Sequence, residues 1–308
     1  MHFIFQKLMS DRALVAGVGG LVLLLLGGGC ETTNGGGGGD VAVGPMKGVL
    51  IDAGHGGEPE EAAGQAGENM NRIGRSELQG YREECYGAIN ASGYKEKTAT
   101  LAVSQKIQTL LERDGVATAM TRTSDRYVPL DDRVSTAMSH QYRDWIFVSI
   151  HFNRSSGKQQ ATKLAEKYRT PRGFEIYVLP PGGGRSNVGK RASSRYITVN
   201  NTRSANHRLA QCVESRLSQI PGMVNRGIKE AWFVVLRGSP NPALLIEGGF
   251  MSNPEEGRLI ESEDYQWKYA RAVVAGIEDY RGQGSRADGS VPTRQTRFAA
   301  SDKVGLRD

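Results

Sequence analysis

Two histidines and one glutamate stand where apolar runs stop. Val49-Leu50-Ile51 ends in Asp52-Ala53-Gly54-His55-Gly56-Gly57, and Trp145-Ile146-Phe147-Val148-Ser149-Ile150 ends in His151-Phe152-Asn153. Leu245-Ile246 ends in Glu247-Gly248-Gly249. Imidazole and carboxylate together suit Zn²⁺, and a catalytic zinc keeps three protein ligands and one open position. The chain has only five histidines, so two at the ends of buried strands, in Gly-rich turns, concentrate the signal. The third ligand has two candidates. Glu58 lies three residues after His55, and Glu96, in Tyr94-Lys95-Glu96-Lys97, opens a long helix. A glutamate at a helix start is also favoured by the macrodipole alone. Spacing does not choose between them.

These residues need a scaffold, and the pattern from residue 49 onward alternates strand and helix. Strands are expected at 49–51, 116–121, 145–150, 173–179, 228–236 and 243–246. Helices are expected at 95–113, 130–142, 205–220 and within 254–280, where apolar residues recur at helical spacing. This order predicts a single α/β domain with a mixed, mostly parallel sheet flanked by helices, and a zinc site at the C-terminal ends of the strands. Three polar, Gly-rich stretches interrupt the alternation: 56–93, 155–172 and 180–202. Loops of this length are functional or unstructured, and two directly follow strand ends. They can serve as lids, as inhibitory elements that receive an activator protein, or as solvated excursions. Around them, Asp52 either supports His55 or merely ends its strand, and Glu175 faces either the site or outward. His140 and His207 read as surface helix residues, and Trp232 and Phe233 as part of a half-buried strand.

The ends of the chain differ from the body. Lys7 and Arg12 precede an apolar run from Ala13 to Leu26 that closes in Gly27-Gly28-Gly29-Cys30. A charged start and a short apolar stretch are what an export signal requires, and the run is short for a membrane span. Residues 1–29 are therefore expected to be a signal peptide, with Cys30 its lipidated end in the manner of a lipoprotein. Residues 30–48, which include Gly35 to Gly39, read as a flexible tether, and 282–308 as a flexible tail. The protein is then expected to be exported, in the periplasm, and held to a membrane by a lipid anchor. Six Arg/Lys against three Asp at 281–308 account for much of the net +6 charge. The body has no basic face that would single out nucleic acid as a partner. Cys85 and Cys212 read as two separate thiols, although sequence alone leaves a disulfide between them open.

The body resembles the zinc-dependent N-acetylmuramoyl-L-alanine amidases of the amidase-3 type. The matching segments run in order. They are Ile51-Asp52-Ala53-Gly54-His55-Gly56-Gly57, Glu96-Lys97, Thr121-Arg122-Thr123-Ser124-Asp125, Leu130-Asp131-Asp132-Arg133 and Ser149-Ile150-His151-Phe152-Asn153. Arg226-Gly227-Ile228-Lys229, Val235-Leu236-Arg237 and Leu245-Ile246-Glu247-Gly248-Gly249-Phe250-Met251-Ser252-Asn253 follow. The resemblance implies a catalytic domain at 49–281, one Zn²⁺ per chain on His55, Glu96 and His151, and Glu247 as the catalytic glutamate. It implies peptidoglycan as substrate and cleavage of the bond between N-acetylmuramic acid and L-alanine. Arg226, Arg237 and Asn153 are candidate contacts to the acidic stem peptide, while Arg122, Asp125 and Arg133 are expected to brace the strand ends. In the family the first His and the Glu are usually joined by a shorter segment than the one here. Two other readings compete. His-x-x-Glu spacing also resembles zinc carboxypeptidases, with His55, Glu58 and His151 as ligands. A cell-wall-binding protein without catalysis is the third.

Overall fold

The structure, a computed structural model, describes residues 46–69, 72–155, 171–180, 203–237, 239 and 241–284. Among them six strands form one sheet: β1 (Gly48–Ala53), β2 (Ala117–Met120), β3 (Trp145–Asn153), β4 (Phe174–Val178), β5 (Asn225–Glu230) and β6 (Ala243–Phe250). Their order is β2-β1-β3-β6-β4-β5. The first four in that order are mutually parallel; β4 runs antiparallel to β6 and parallel to β5. The sheet is thus mixed and mostly parallel, as the alternation predicts.

Helices cover both faces: α1 (Pro59–Gln65), α2 (Arg75–Tyr86), α3 (Glu96–Arg113), α4 (Leu130–Met138), α5 (Arg203–Leu217), α6 (Val234–Arg237), α7 (Pro254–Glu261) and α8 (Glu263–Gly284). On one face Ile146, Val148 and Ile150 of β3 share a core with Ile107 of α3, Val213 of α5 and Val273 of α8. On the other, Leu50, Phe147 and Leu245 pack with Ala137 of α4 and Leu236 of α6. Burial on both faces is why the central strands carry continuous apolar runs at 49–51, 145–148 and 243–246. Each such side chain contributes roughly 1.5–3 kcal/mol relative to exposure.

Several elements differ from the sequence expectation. The stretch 56–93 is not a loop: it holds α1 and α2. These helices are polar, and Cys85 is the buried position of α2, so no apolar period announces them. The strand expected over 228–236 ends at Glu230, and Val234–Arg237 is a helical turn; its β-branched residues suggested strand, but the packing of Val235 and Leu236 decides. Trp232 and Phe233 accordingly lie between elements, against the second core. The helix expected to Tyr142 stops at Met138 and gives way to a 3₁₀ turn at His140–Tyr142. The last helical stretch breaks at Ser262 and runs on to Gly284, past residue 281. Gly48 belongs to β1 and not to a tether. Cys85 and Cys212 are buried thiols, not a disulfide. Residues 1–45 with Cys30, most of the stretches 155–172 and 180–202, and 285–308 lie outside the described residues.

Candidate metal centre

His55 sits two residues past β1 with φ 59°, the left-handed region that a residue with a Cβ seldom adopts. Its surroundings over-determine that conformation. Arg133 donates from Nη2 to the His55 carbonyl at 2.6 Å and from Nη1 to the Ala53 carbonyl at 2.7 Å. Arg122 donates from Nε to Ala53 O and from Nη2 to Gly54 O, both at 2.9 Å. Arg122 also reaches Lys97 O and Thr100 Oγ1, tying the β1 turn to the start of α3. Asp52 anchors Arg133 at 2.7 Å and accepts from Thr121 Oγ1 and Ser149 Oγ. Strain of this kind persists only where the fold holds it, and it clusters at functional sites.

The turn brings His55 to Glu96, the first residue of α3, and to His151 of β3. Glu96 Oε1 lies 3.1 Å from His55 Nε2 and 3.0 Å from His151 Nδ1. One ligand atom from each of the three lies within 4.8 Å of the others. Close approach requires glycine twice. A Cβ on Gly54 would stand 2.3 Å from His151 Cε1, and one on Gly87 would stand 2.3 Å from Glu96 Oε2. The carboxylate itself is aimed by backbone amides, from Ala88 to Oε2 at 2.7 Å and from Phe152 to Oε1 at 3.0 Å.

The donor set asks for a cation. His55 Nδ1 lies 2.8 Å from the Glu84 carbonyl, which only accepts, so Nδ1 carries the proton. In the neutral ring Nε2 is then a lone pair pointing at a carboxylate oxygen. Two acceptors at 3.1 Å repel unless a proton or a metal ion stands between or beside them. Electrostatics agree in direction. Burial works against the charged forms, yet the imidazoles of His55 and His151 hold the Glu96 carboxyl well below the usual range. Burial alone would depress His55, but Glu96 more than offsets it and the net shift is upward. For His151 burial wins and the shift is downward.

Beside this group the sheet lays out a row of side chains. His151 pairs in register with Glu247 of β6, and Glu247 with Glu175 of β4. Adjacent strands lie roughly 4.7–4.9 Å apart, and residues opposite each other in an antiparallel pair such as Glu247 and Glu175 lie roughly 4.5–5.5 Å apart at Cα. Glu247 Oε2 is buried and has no hydrogen-bond partner among the described residues. Burial, then the charges of Glu96 and Glu175, push its pKa well up. Glu175 is the opposite case: buried, but accepting from Arg226 Nε and Lys229 Nζ at 2.6 Å each, from Tyr177 Oη at 2.7 Å and from Asn153 Nδ2 at 3.2 Å.

Glu58 is not brought to the His-Glu-His group. It is half exposed, salt-bridged to Lys97 at 2.7 Å and bonded to the Tyr86 hydroxyl. Lys97 also holds Asp125 at 2.8 Å and the Gly57 carbonyl, so Asp125, like Arg122 and Arg133, braces the turn. Arg237 lies on α6 and joins neither Glu247 nor Glu175 among the described residues; burial lowers its pKa, with Asp131 of α4 opposing. His140 is exposed, and His207 meets Glu230 at 3.2 Å on the surface of α5. Lys229, Tyr127 and Glu84 carry no distinguishing signal of their own in sequence. Glu84 acts through its backbone carbonyl, and its side chain takes the Tyr127 hydroxyl. A charged residue inside the apolar strand Phe174–Val178 was the available clue to Glu175.

Known proteins share this sequence and fold. Residues 49–279 match the Amidase_3 family, described as N-acetylmuramoyl-L-alanine amidase. The chain is 31% identical over 244 residues to the protein YqiI of Bacillus subtilis, covering 79% of this chain and 89% of that one. It is 26% identical to the N-acetylmuramoyl-L-alanine amidase AmiA of Escherichia coli, over 63% of this chain and 71% of that protein. Among solved structures it resembles the amidase AmiC2 of Nostoc punctiforme, with TM-score 0.53 and 26% identity over 77% of this chain and 98% of that one. An N-acetylmuramoyl-L-alanine amidase from Clostridium difficile 630 matches with TM-score 0.55 and 25% identity over 80% of this chain and all 100% of that one. A strained histidine at the end of β1, a partner histidine on β3 and a match running through the whole sheet lead to one conclusion: the chain belongs to the amidase-3 family of N-acetylmuramoyl-L-alanine amidases.

Proposed function

We propose that this chain hydrolyses the amide between N-acetylmuramic acid and L-alanine in peptidoglycan, with one Zn²⁺ held by His55, Glu96 and His151 and with Glu247 as its acid-base. The observation that carries the reading is the row itself. A half-buried carboxylate, one oxygen of which is buried without a hydrogen-bond partner among the described residues, stands in register beside a His-Glu-His group whose nitrogen and oxygen atoms face one another. Zn²⁺ supplies Lewis acidity when bound, polarising a carbonyl and acidifying water. The protein's own residues do the rest. Glu84, through its carbonyl, fixes which nitrogen of His55 is unprotonated. Glu247 takes the proton of the attacking water and returns it to the departing amine nitrogen of L-alanine. Its raised pKa, caused first by burial, suits a group that must both accept and donate. Arg226 and Asn153 border the row and contact the substrate.

The same reading places the protein outside the cytoplasm, where its polymer substrate is. An export signal at 1–29, a lipidated Cys30 and a glycine tether would tie the domain to a membrane beside the wall; labelling cells with a fatty-acid analogue, wild type against Cys30→Ala, tests the anchor. No helix among the described residues is long and apolar enough to cross a membrane. The enzymatic reading is tested by mass spectrometry of peptidoglycan digested with the purified protein. Free stem peptides beginning in L-alanine are expected. Trimmed peptide ends would indicate a carboxypeptidase, and an unchanged digest a wall-binding protein. Glu96→Gln is expected to lower zinc content and turnover together.

A further inference from the structure

We propose that Arg226 and Lys229, held by the buried Glu175, form a carboxylate-binding subsite beside Glu247, with Glu175 as its positioning residue. The inference rests on the amidase reading and names the part of the substrate it takes. One buried carboxylate oxygen, Glu175 Oε1, meets two cations at 2.6 Å each. Both cations are about one-third exposed, Arg226 at 36% and Lys229 at 35%, while Glu175 is 3% exposed. A buried carboxylate needs one cation to be compensated. The second cation is therefore surplus to the charge of Glu175, and both cations keep about one-third of their side-chain surface exposed.

The geometry of Arg226 sharpens this. Nε is spent on Glu175, and the guanidinium carbon stands 5.1 Å over the Phe250 ring. Two constraints fix the plane of the fork. Its terminal Nη1 and Nη2 groups have no hydrogen-bond partner among the described residues, and that edge is what receives a carboxylate in bidentate fashion. Glu256, whose carboxylate feels the charge of Arg226, already accepts the amides of Gly173 at 2.6 Å and Phe250 at 2.7 Å. Lys229 pairs in register with Tyr177, whose hydroxyl completes the hold on Glu175.

The place of the subsite decides its ligand. Glu175 is the register neighbour of Glu247, so the two cations it holds stand on the next strand beyond it, two strands from the proposed acid-base. The stem peptide carries a carboxylate on its second residue, one position beyond the L-alanine whose bond is cut. In some walls that carboxylate is an amide. A cation pair at this place favours the acid over the amide.

The test uses the full chain with zinc and two matched muropeptides, one with the free carboxylate on the second residue and one with the amide. The wild type is expected to favour the acid by about tenfold in kcat/KM, chiefly through KM, the size of a charged hydrogen bond. In Arg226→Gln and Lys229→Gln, both at half-exposed positions, the ratio between the two substrates is expected to fall towards one. Glu175→Gln should also lose the ratio, because the two cations are no longer held; any change in kcat caused by removing its charge beside Glu247 is shared by both substrates and leaves the ratio as the readout. Binding of the free stem tripeptide against its amidated form, followed by NMR titration, reads the same preference without turnover. A wild-type ratio near one, or a ratio that survives in the Arg226→Gln/Lys229→Gln double variant, overturns the subsite while leaving the amidase intact. Failure of the wild type to cut either muropeptide at L-alanine overturns the amidase reading and the subsite with it.

Discussion

Asp52, buried, and Glu247, half-buried with one buried oxygen, are carboxylates on the same sheet, yet their surroundings are opposite. Asp52, on β1, accepts from Thr121, Ser149 and Arg133, each at 2.7 Å. Burial raises its pKa, but Arg133 and the two hydroxyls more than offset this and the net shift is downward. Glu247, on β6, has an oxygen with no partner and two carboxylates for neighbours, and its pKa rises. The region around Asp52 is a fully bonded brace that holds the strained His55 turn. The region around Glu247 leaves a polar atom unsatisfied where a substrate or water would meet it. Carboxylates whose environments push their pKa values apart mark different jobs. The fully bonded brace lies on the β1 side, and the oxygen without a partner lies on the β6 side.

The comparison breaks most visibly at Asp52. Asp52→Asn leaves Arg133 buried without its counter-charge, and a loss of about 3–5 kcal/mol is expected, measured by chemical denaturation at pH 7. The pH dependence follows from the sign of the shift. The folded pKa of Asp52 lies below its ordinary value near 3.8. Its contribution is therefore complete above that value and is lost as pH falls through the folded pKa. The wild type should lose stability below about pH 4 more steeply than Asp52→Asn does; equal acid sensitivity would assign the brace to other groups.

Glu247→Ala is the mirror experiment. Turnover should fall by about 10²-fold or more, while the melting temperature holds or rises, because a buried oxygen without a hydrogen-bond partner has been removed. A folded, zinc-loaded variant with near-normal turnover would remove Glu247 from the chemistry.

A smaller effect is expected at the join between α2 and the metal group. The Tyr127 hydroxyl holds Glu84, whose carbonyl fixes His55. Tyr127→Phe should weaken zinc affinity by about tenfold, the lower end for a residue that orients a ligand, as read by competition with a chelator. Unchanged affinity would reduce α2 to packing. The smallest effect belongs to Glu58→Ala. Glu58 is 53% exposed, and its partner Lys97 keeps Asp125, so a cost under about 1 kcal/mol and full zinc content are expected. Loss of zinc there would reopen the choice of third ligand.

The sheet and three members of the site could be read from one dimension. Parallel strands buried on both faces are largely apolar, so His151 and Glu247, which interrupt the C-terminal halves of β3 and β6, and His55, which follows β1, announce themselves. Glu96 could not be separated from Glu58 by spacing; it needed the family pattern. The helices of 56–93 were illegible because their faces are polar and their hold on the site runs through main-chain atoms, namely the carbonyls of Glu84 and Cys85 and the amide of Ala88. Any residue type can supply these.

What the sequence by itself determined is therefore the residue set that local pattern encodes: the apolar runs of the central strands, where α3 begins, and which imidazoles and carboxylates interrupt or follow those runs. What only the tertiary structure decided is which of them meet. The reversal of β4 against β6 sets Glu175 opposite Glu247, and the adjacent β5 delivers Arg226 and Lys229 to that same carboxylate. Register between strands distant in the chain is fixed by packing and hydrogen bonding across the sheet. A one-residue slip there would send Glu175 to the other face, and nothing within the strand's own five residues records which register wins.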